Sequence, residues 1–342
     1  MSQHEVAETL PLLSERATVT DVTALDRDRR DEVVAAVDRV LRTVPHEWTA
    51  LVDGDREYVD WDRLWTNVHR TDVGGETETK LIKLQERYER DFPSLVRIRF
   101  DTDDPFEFVP GQYLTIHYRH VPRPYSIASS PNRDEIELCV RRVPGGRLST
   151  QLCGDLGAGE TLAVRGPFGS EFVLAPPSNR DLVFLATGTG VAPFKSMIDY
   201  VFEEGLDEYD GVPRNVWLFL GASWRDDIPY YEEFSRLAAD EENFHFVPTA
   251  SREEYLTDWT GESTYVQQTL LTYLDREAVD ALDAPSLSRI ADREPKYDVD
   301  ARIHPDAVEV YACGINAMVY SLVDVIGEMG VPDRRIRVEG YG

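Results

Sequence analysis

Three short stretches of this sequence combine residue types that bind anions with residue types that pack on flat rings. In RPYSIASS (Arg123 to Ser130) a cation, an aromatic ring and a hydroxyl alternate along the chain. Residues two apart in a strand face the same way, so Arg123 and Tyr125 can share a face, the guanidinium suited to a phosphate and the ring to lying over a heterocycle. In GGRLSTQL (Gly145 to Leu152) a glycine turn leads into a helix start at Ser149, where backbone N–H groups are free for an anion. In LATGTGVAPF (Leu185 to Phe194), Gly188 and Gly190 follow a buried strand and precede a helical segment, an arrangement that presents helix N-terminal N–H groups to a pyrophosphate. Each stretch also has a plainer reading: a half-buried strand with an incidental arginine, a simple N-cap, and a turn that uses glycine for geometry alone. Together, in this order and over two kinds of domain, they favour phosphate-bearing, ring-bearing ligands.

The elements that must position these residues change character along the chain. From Ser94 to about residue 175, short strands (VPGQYLTIHY, RPYSIASS, EIELCVRR, ETLAVRGPFG) alternate with Pro and Gly turns, the pattern of a small antiparallel barrel. After the breaker APPSN come buried strands, LVFLAT, VWLFLGA and VEVYACG, separated by helical segments, the marks of a parallel doubly wound sheet. The expected fold is therefore two-domain: an antiparallel β-barrel over residues 94–177, then a Rossmann-like α/β domain over 178–342. Residues 17–25 (ATVTDVTAL) read as a further strand of the barrel. Between it and Ser94 lies a helical, acidic insertion: Val33, Val34, Val37, Val40, Leu41 and Val44 mark one apolar helical face, and Lys80 to Arg90 a second, charged helix. Residues 1–93 are thus an N-terminal strand plus an insertion to which no chemistry can be assigned.

Composition excludes several classes. The 342 residues carry 63 acidic and 36 basic side chains, a net charge of -27, which disfavours nucleic acid and anionic membranes as partners. Only four lysines occur: Lys80, Lys83, Lys195 and Lys296. An acidic, lysine-poor surface suggests a salt-loving host, since at molar salt the screening length falls to about 3 Å. No apolar run approaches the ~18 residues of a membrane span. With neither a secretory leader pattern nor paired cysteine spacing among Cys139, Cys153 and Cys313, a cytoplasmic setting is expected. The seven histidines show no ligand spacing with the cysteines, so no metal site is expected.

From Ser94 to Gly342 the motifs resemble those of the plant-type ferredoxin-NADP reductases. The resemblance implies an FAD-binding barrel with Arg123 on the FAD pyrophosphate, Tyr125 flat against the isoalloxazine and Ser126 near its N5. In LCVRR the backbone at Cys139, Val140 and Arg141 would line the flavin edge, and in GGRLST Arg147, Leu148 and Ser149 would hold the pyrophosphate. GTGVAPF resembles the NADP pyrophosphate loop, with Gly188 and Gly190 at the turn and Thr189 where nucleotide and flavin meet. TASREEY and STYVQ resemble the 2′-phosphate and adenine site, which implies Ser251 and Arg252 on the phosphate, Tyr265 stacking on adenine and Gln267 beside it. YACGINAM resembles the nicotinamide-side turn, with Cys313 and Gly314 near the ring. The ending VEGYG resembles the family's terminal Glu-x-Tyr, with Glu339 acidic near the site and Tyr341 covering the second flavin face.

Departures accompany the match. Ser263 stands where the family has a lysine, which removes one cation from the 2′-phosphate site and leaves NADH as an alternative to NADP(H). The loop Val143 to Gly145 lacks the aromatic that packs on the FAD adenine, and Gly342 follows the terminal tyrosine. The implied reaction is hydride transfer between NADP(H) and FAD, with single electrons passing to a separate ferredoxin-like carrier, because no four-cysteine cluster is present for an iron-sulfur centre. Alternatives are a reductase for another acceptor (an oxygenase, a haem protein or free flavin) or a non-catalytic nucleotide-binding scaffold.

Overall fold

A computed structural model of the protein describes residues 1–44, 51–53, 58–119 and 121–341. Gly342, the last residue of the terminal motif, lies outside the described residues. The chain opens with a capped helix α1 (Gln3–Thr9) and a long strand β1 (Leu13–Ala24). The insertion follows: α2 (Arg30–Leu41), the short ribbon β2 (Val52–Asp53) and β3 (Tyr58–Val59), α3 (Trp61–Arg70) and α4 (Gly75–Tyr88). Then come β4 (Leu95–Thr102), β5 (Tyr113–Tyr118), β6 (Val121–Ser126), β7 (Ile136–Arg141), α5 (Arg147–Gly154) and β8 (Thr161–Phe168).

These strands form one antiparallel sheet in the order β6-β5-β8-β1-β4-β7, and a bridge between Ile127 and Leu138 joins its two edges into a barrel. β1 lies inside the sheet: its first half pairs with β8 (Leu13 opposite Gly166) and its second with β4 (Val22 opposite Ile98). Its Thr/Val alternation sends Ala17 and Val19 into the barrel core with Ile98, Phe100, Leu114 and Leu138. Past the Ile127–Leu138 bridge, the outer edge of β7 meets no further strand among the described residues.

The second unit runs β9 (Asp181–Thr187), α6 (Ala192–Glu203), the ribbon β10 (Glu208–Tyr209) and β11 (Val212–Pro213), β12 (Val216–Ala222), α7 (Tyr231–Asp240) and β13 (Phe244–Ala250). It finishes with α8 (Val266–Leu271), α9 (Arg276–Asp280), α10 (Pro285–Ala291), β14 (Val308–Ile315), α11 (Asn316–Glu328) and β15 (Ile336–Tyr341). The parallel order β13-β12-β9-β14-β15 puts β9 at the centre, with the chain first moving outward to β13 and then returning to the other side of β9. The crevice beyond the carboxyl ends of β9 and β14 is thus the topological switch point, where doubly wound sheets hold ligands. Near-continuous apolar runs in β9, β12 and β14 follow from burial on both faces. Among the described residues no helix is long and apolar enough to cross a membrane.

The insertion has its own core, and the predicted apolar face of α2 supplies most of it: Val33, Val34, Val37, Val40 and Leu41 pack with Leu64, Val68, Leu81 and Leu84. Trp224 and Leu256 from the second unit complete that cluster. Polar contacts reinforce the junction. Arg29, fully buried, donates to Asp226 at 3.0 Å and to both oxygens of Glu253 at 2.9 and 2.8 Å, and also pairs with Glu32. Arg87 reaches Asp226 at 2.7 Å. The second insertion helix spans Gly75–Tyr88 where residues 80–90 were expected, and α3 was not foreseen.

Replacing Arg29 with Met removes the cation and leaves Glu253 buried with unbalanced charge, while Asp226 keeps Arg87. The expected cost is about 3–5 kcal/mol, the range for breaking one side of a buried pair. Denaturant unfolding of the two proteins measures it; a loss below about 1 kcal/mol, the exposed-pair range, would contradict this account.

Candidate active site between the barrel and the nucleotide fold

Two groups of predicted residues come together at the open side of the barrel. β6 carries Arg123, exposed, and Tyr125, half-buried against the barrel core, with Ser126 at the strand end. Arg123 donates to the Pro122 carbonyl at 2.8 Å and has no carboxylate partner among the described residues. Tyr125 lies close to Cys153 of α5, and burial pushes its phenol up to about 12. Helix α5 begins at Arg147 with Gly146 as its cap, two residues before the start expected at Ser149. Ser149 is instead inside the first turn, where its hydroxyl accepts the N–H of Val143 at 3.1 Å and closes the loop back onto the helix. Because Gly146 has no side chain to cap with, the first-turn N–H groups keep their binding capacity. A cavity of about 440 Å³ opens there, lined by Asp91, Arg142, Gly145, Arg147, Thr150 and Gln151. Arg123 and Arg147, neither paired with a carboxylate among the described residues, together with an uncapped helix start and an adjacent aromatic ring, fit a flavin dinucleotide.

Of the β7 residues, Cys139 and Val140 are buried, and burial holds the Cys139 thiol up to about 12. The side chain of Arg141 is committed elsewhere, donating to Asp227 at 3.1 Å and to its carbonyl at 3.2 Å. Burial works to raise the Asp227 carboxyl, yet Arg141 and Arg90 hold it below the ordinary carboxylate range. Asp227 follows β12, so this ion pair ties the barrel to the second unit. Sequence reasoning had not marked Asp227, whose role needs a partner 86 residues away.

The second group lies in the crevice. After β9 the chain makes a single 3₁₀ turn, Gly188–Val191, before α6. Gly188 has φ +51, a left-handed conformation that favours glycine. At Gly190 a Cβ would stand 2.4 Å from the Cys313 carbonyl oxygen, so the absence of a side chain lets the turn lie against the end of β14. This turn also packs against β7, bringing the two units to one point. On the other side of β14, Cys313 is in register with Glu339 of β15. Burial raises both, the thiol well above its usual range and the Glu339 carboxyl to about 7.

Tyr341 closes the mouth. Its hydroxyl donates to the Thr187 carbonyl at 3.2 Å and lies 3.4 Å from Thr189 Oγ1, while the residue stays 39% exposed. Enclosure of the hydroxyl pushes it up to about 12. The ring is therefore anchored by its tip, with no aromatic stacking partner among the described residues. Farther along the crevice, Ser251 and Arg252 follow β13, and Glu262–Thr264 runs beside its end through the Thr249–Glu262 bridge, which carries the exposed Tyr265 alongside. Gln267 Oε1 is buried with no partner among the described residues, an acceptor available to a ligand. Ser263 is exposed. Gly314 is buried at the end of β14.

Comparison with known proteins matches the same two units of the chain. The oxidoreductase FAD-binding domain model matches residues 87–172, and the oxidoreductase NAD-binding domain model matches 184–324. Ferredoxin-NADP reductase B of Sorangium cellulosum is 33% identical over 258 residues, 73% of this chain and 92% of that protein. The chain belongs to the ferredoxin-NADP reductase family. It is a family oxidoreductase built on FAD and NAD(P) domains. With other relatives the match is partial: the chain spans about half the length of several, including 48% of protein RfbI of Salmonella typhimurium, with 32% identity over 168 residues, 49% of this chain. Among solved structures, the Amycolatopsis cytochrome P450 reductase GcoB shares the fold over 97% of this chain and 71% of its own, with a TM-score of 0.63 and 21% identity.

The Glu339 environment has a sign. In the unfolded chain its carboxyl ionises near 4.5; in the native protein it keeps its proton to about pH 7. The native state therefore binds the proton more tightly, and the stability this lends is lost as pH rises between those values. Relative to the native protein, Glu339→Gln should become progressively more stable across that window, measured by unfolding at a series of pH values. A difference that stays flat with pH would contradict the burial argument.

Proposed function

We propose that this chain is a ferredoxin-NADP reductase in activity as well as family, taking hydride from NADPH and reducing a ferredoxin-type one-electron carrier in the cytoplasm. The observation that supports this most is the arrangement of Tyr341, tethered by its hydroxyl to Thr187 where β7, the Gly188–Val191 turn and β14 converge. A ring fixed only at its tip can give way to a second flat ring.

In this reading Arg123, with Arg147, Leu148 and Ser149 at the start of α5, holds the FAD pyrophosphate, while Tyr125, Ser126 and the free edge of β7 at Cys139, Val140 and Arg141 hold the isoalloxazine. FAD, when bound, supplies the capacity to take electrons as a hydride and give them up singly. Gly188, Thr189 and Gly190 take the nucleotide pyrophosphate, Ser251 and Arg252 the 2′-phosphate, and Tyr265 and Gln267 the adenine. Gly314 leaves room beside the nicotinamide, and Cys313 stays a neutral thiol there. Glu339, neutral below about pH 7, adds no negative charge next to the ring until that pH is passed. Tyr341 covers the site until the nicotinamide arrives, and the protein's contribution is alignment and exclusion of water.

A second acceptor class has its own support, since the fold neighbour GcoB is a cytochrome P450 reductase. The two readings separate in an acceptor assay with flavin-loaded protein and NADPH. Reduction should be fastest with a ferredoxin, and with an acidic ferredoxin it should grow from dilute to molar salt while the protein stays folded, because a net charge of -27 repels such a partner until it is screened. Faster turnover with a haem protein or free flavin, or a ferredoxin rate that does not rise with salt, would contradict it.

A further inference from the structure

The insertion also reaches the nucleotide crevice. Two of the chain's four lysines, Lys80 and Lys83, stand one turn apart on α4. Lys80 Nζ lies 5.3 Å from the centroid of the Tyr255 ring, in the turn that follows Arg252. Lys83 Nζ donates to both carboxylate oxygens of Glu86, at 2.8 and 2.9 Å. Glu86 Oε2 in turn stands 3.8 Å from Arg252 Nη1, and no other carboxylate pairs with Arg252 among the described residues. A lysine, a glutamate and an arginine thus form a row from the inserted helix to the end of β13. Glu86 and Arg252 are open to solvent and to a ligand, at 52% and 35% side-chain exposure.

We propose that Glu86 is a specificity-determining residue for the nicotinamide nucleotide, supplied to the site by the insertion. The proposal rests on the reading of Arg252 as the residue at the 2′ position of the adenosine ribose. NADH and NADPH differ there by a hydroxyl against a phosphate. A carboxylate accepts from the hydroxyl and repels the phosphate, whereas a guanidinium favours the phosphate. This chain sets both groups side by side, and Glu86 competes with the phosphate for Arg252. At 3.8 Å the pair is an attraction of charges rather than a hydrogen bond, so an arriving phosphate can displace it. Lys83 keeps hold of Glu86 when that happens. With Ser263 in place of a second cation, the pair sets a weak preference between the nucleotides. An exposed pair of this kind is worth a factor of about two to five in affinity, less at high salt.

The test uses the full chain and two probes that need no flavin chemistry, 2′-phospho-AMP and 5′-AMP, with binding measured by calorimetry. Glu86→Gln should tighten 2′-phospho-AMP about two- to five-fold without tightening 5′-AMP, and Glu86→Lys should tighten it further. In turnover, the NADPH-to-NADH ratio of kcat/KM should rise by the same factors. Wild-type affinities for both probes in both Glu86 variants overturn the proposal. Arg252→Gln separates the two levels. If it weakens 2′-phospho-AMP while the Glu86 variants change nothing, the role of Glu86 fails alone; if it too has no effect, the assignment of Arg252 fails.

Discussion

Adjacent carboxylates in the loop after β12 hold the molecule's three parts in one arrangement. Asp226 is neutralised by Arg29 and Arg87 of the insertion, and Asp227 by Arg90, just past α4, and Arg141 of the barrel. Neither carboxylate can remain buried without these partners. The loop that carries them leaves the carboxyl end of β12, beside the crevice, so the same contacts that balance the charge fix the barrel against the nucleotide fold. The same constraint keeps β7 against the Gly188–Val191 turn at the end of β14, where the proposed flavin and nucleotide sites would meet.

Within the site, burial sets the chemistry. Cys313 and Glu339 face each other across β14 and β15, both held toward their neutral forms. In the proposed reading, a nicotinamide ring that becomes cationic on losing hydride would meet little fixed negative charge at low pH and one carboxylate at higher pH. Tyr341 is anchored through its hydroxyl to the Thr187 carbonyl, and its proposed role is one of position alone. These are properties of placement, and they agree with a protein that aligns cofactors rather than performing acid-base chemistry of its own.

Much of this was readable from residue order. The runs Leu182–Thr187 and Val216–Ala222 are apolar because both faces of a parallel sheet are covered, and they fall within or on the observed strands. The glycine turns before α5 and α6 were legible because their glycines serve local geometry. What was hidden depends on distant partners. Arg29 meets Glu253 across 224 residues, and nothing in either neighbourhood announces the other. Likewise Arg252 reads locally as a phosphate ligand, while its companion Glu86 arrives from a segment that composition left without chemistry. Helix α3 did carry a signal, with Trp61, Leu64, Trp65 and Val68 at helical spacing among polar residues.

The central claim is that the barrel holds a flavin whose ring the crevice exposes to a nicotinamide nucleotide. An anaerobic visible-absorbance titration of the purified protein in high salt, with NADPH and NADH in parallel, tests it directly. The account predicts a bound flavin band that bleaches on addition of NADPH. A protein that shows no flavin band even after added FAD, or a band that neither nucleotide bleaches, would contradict it.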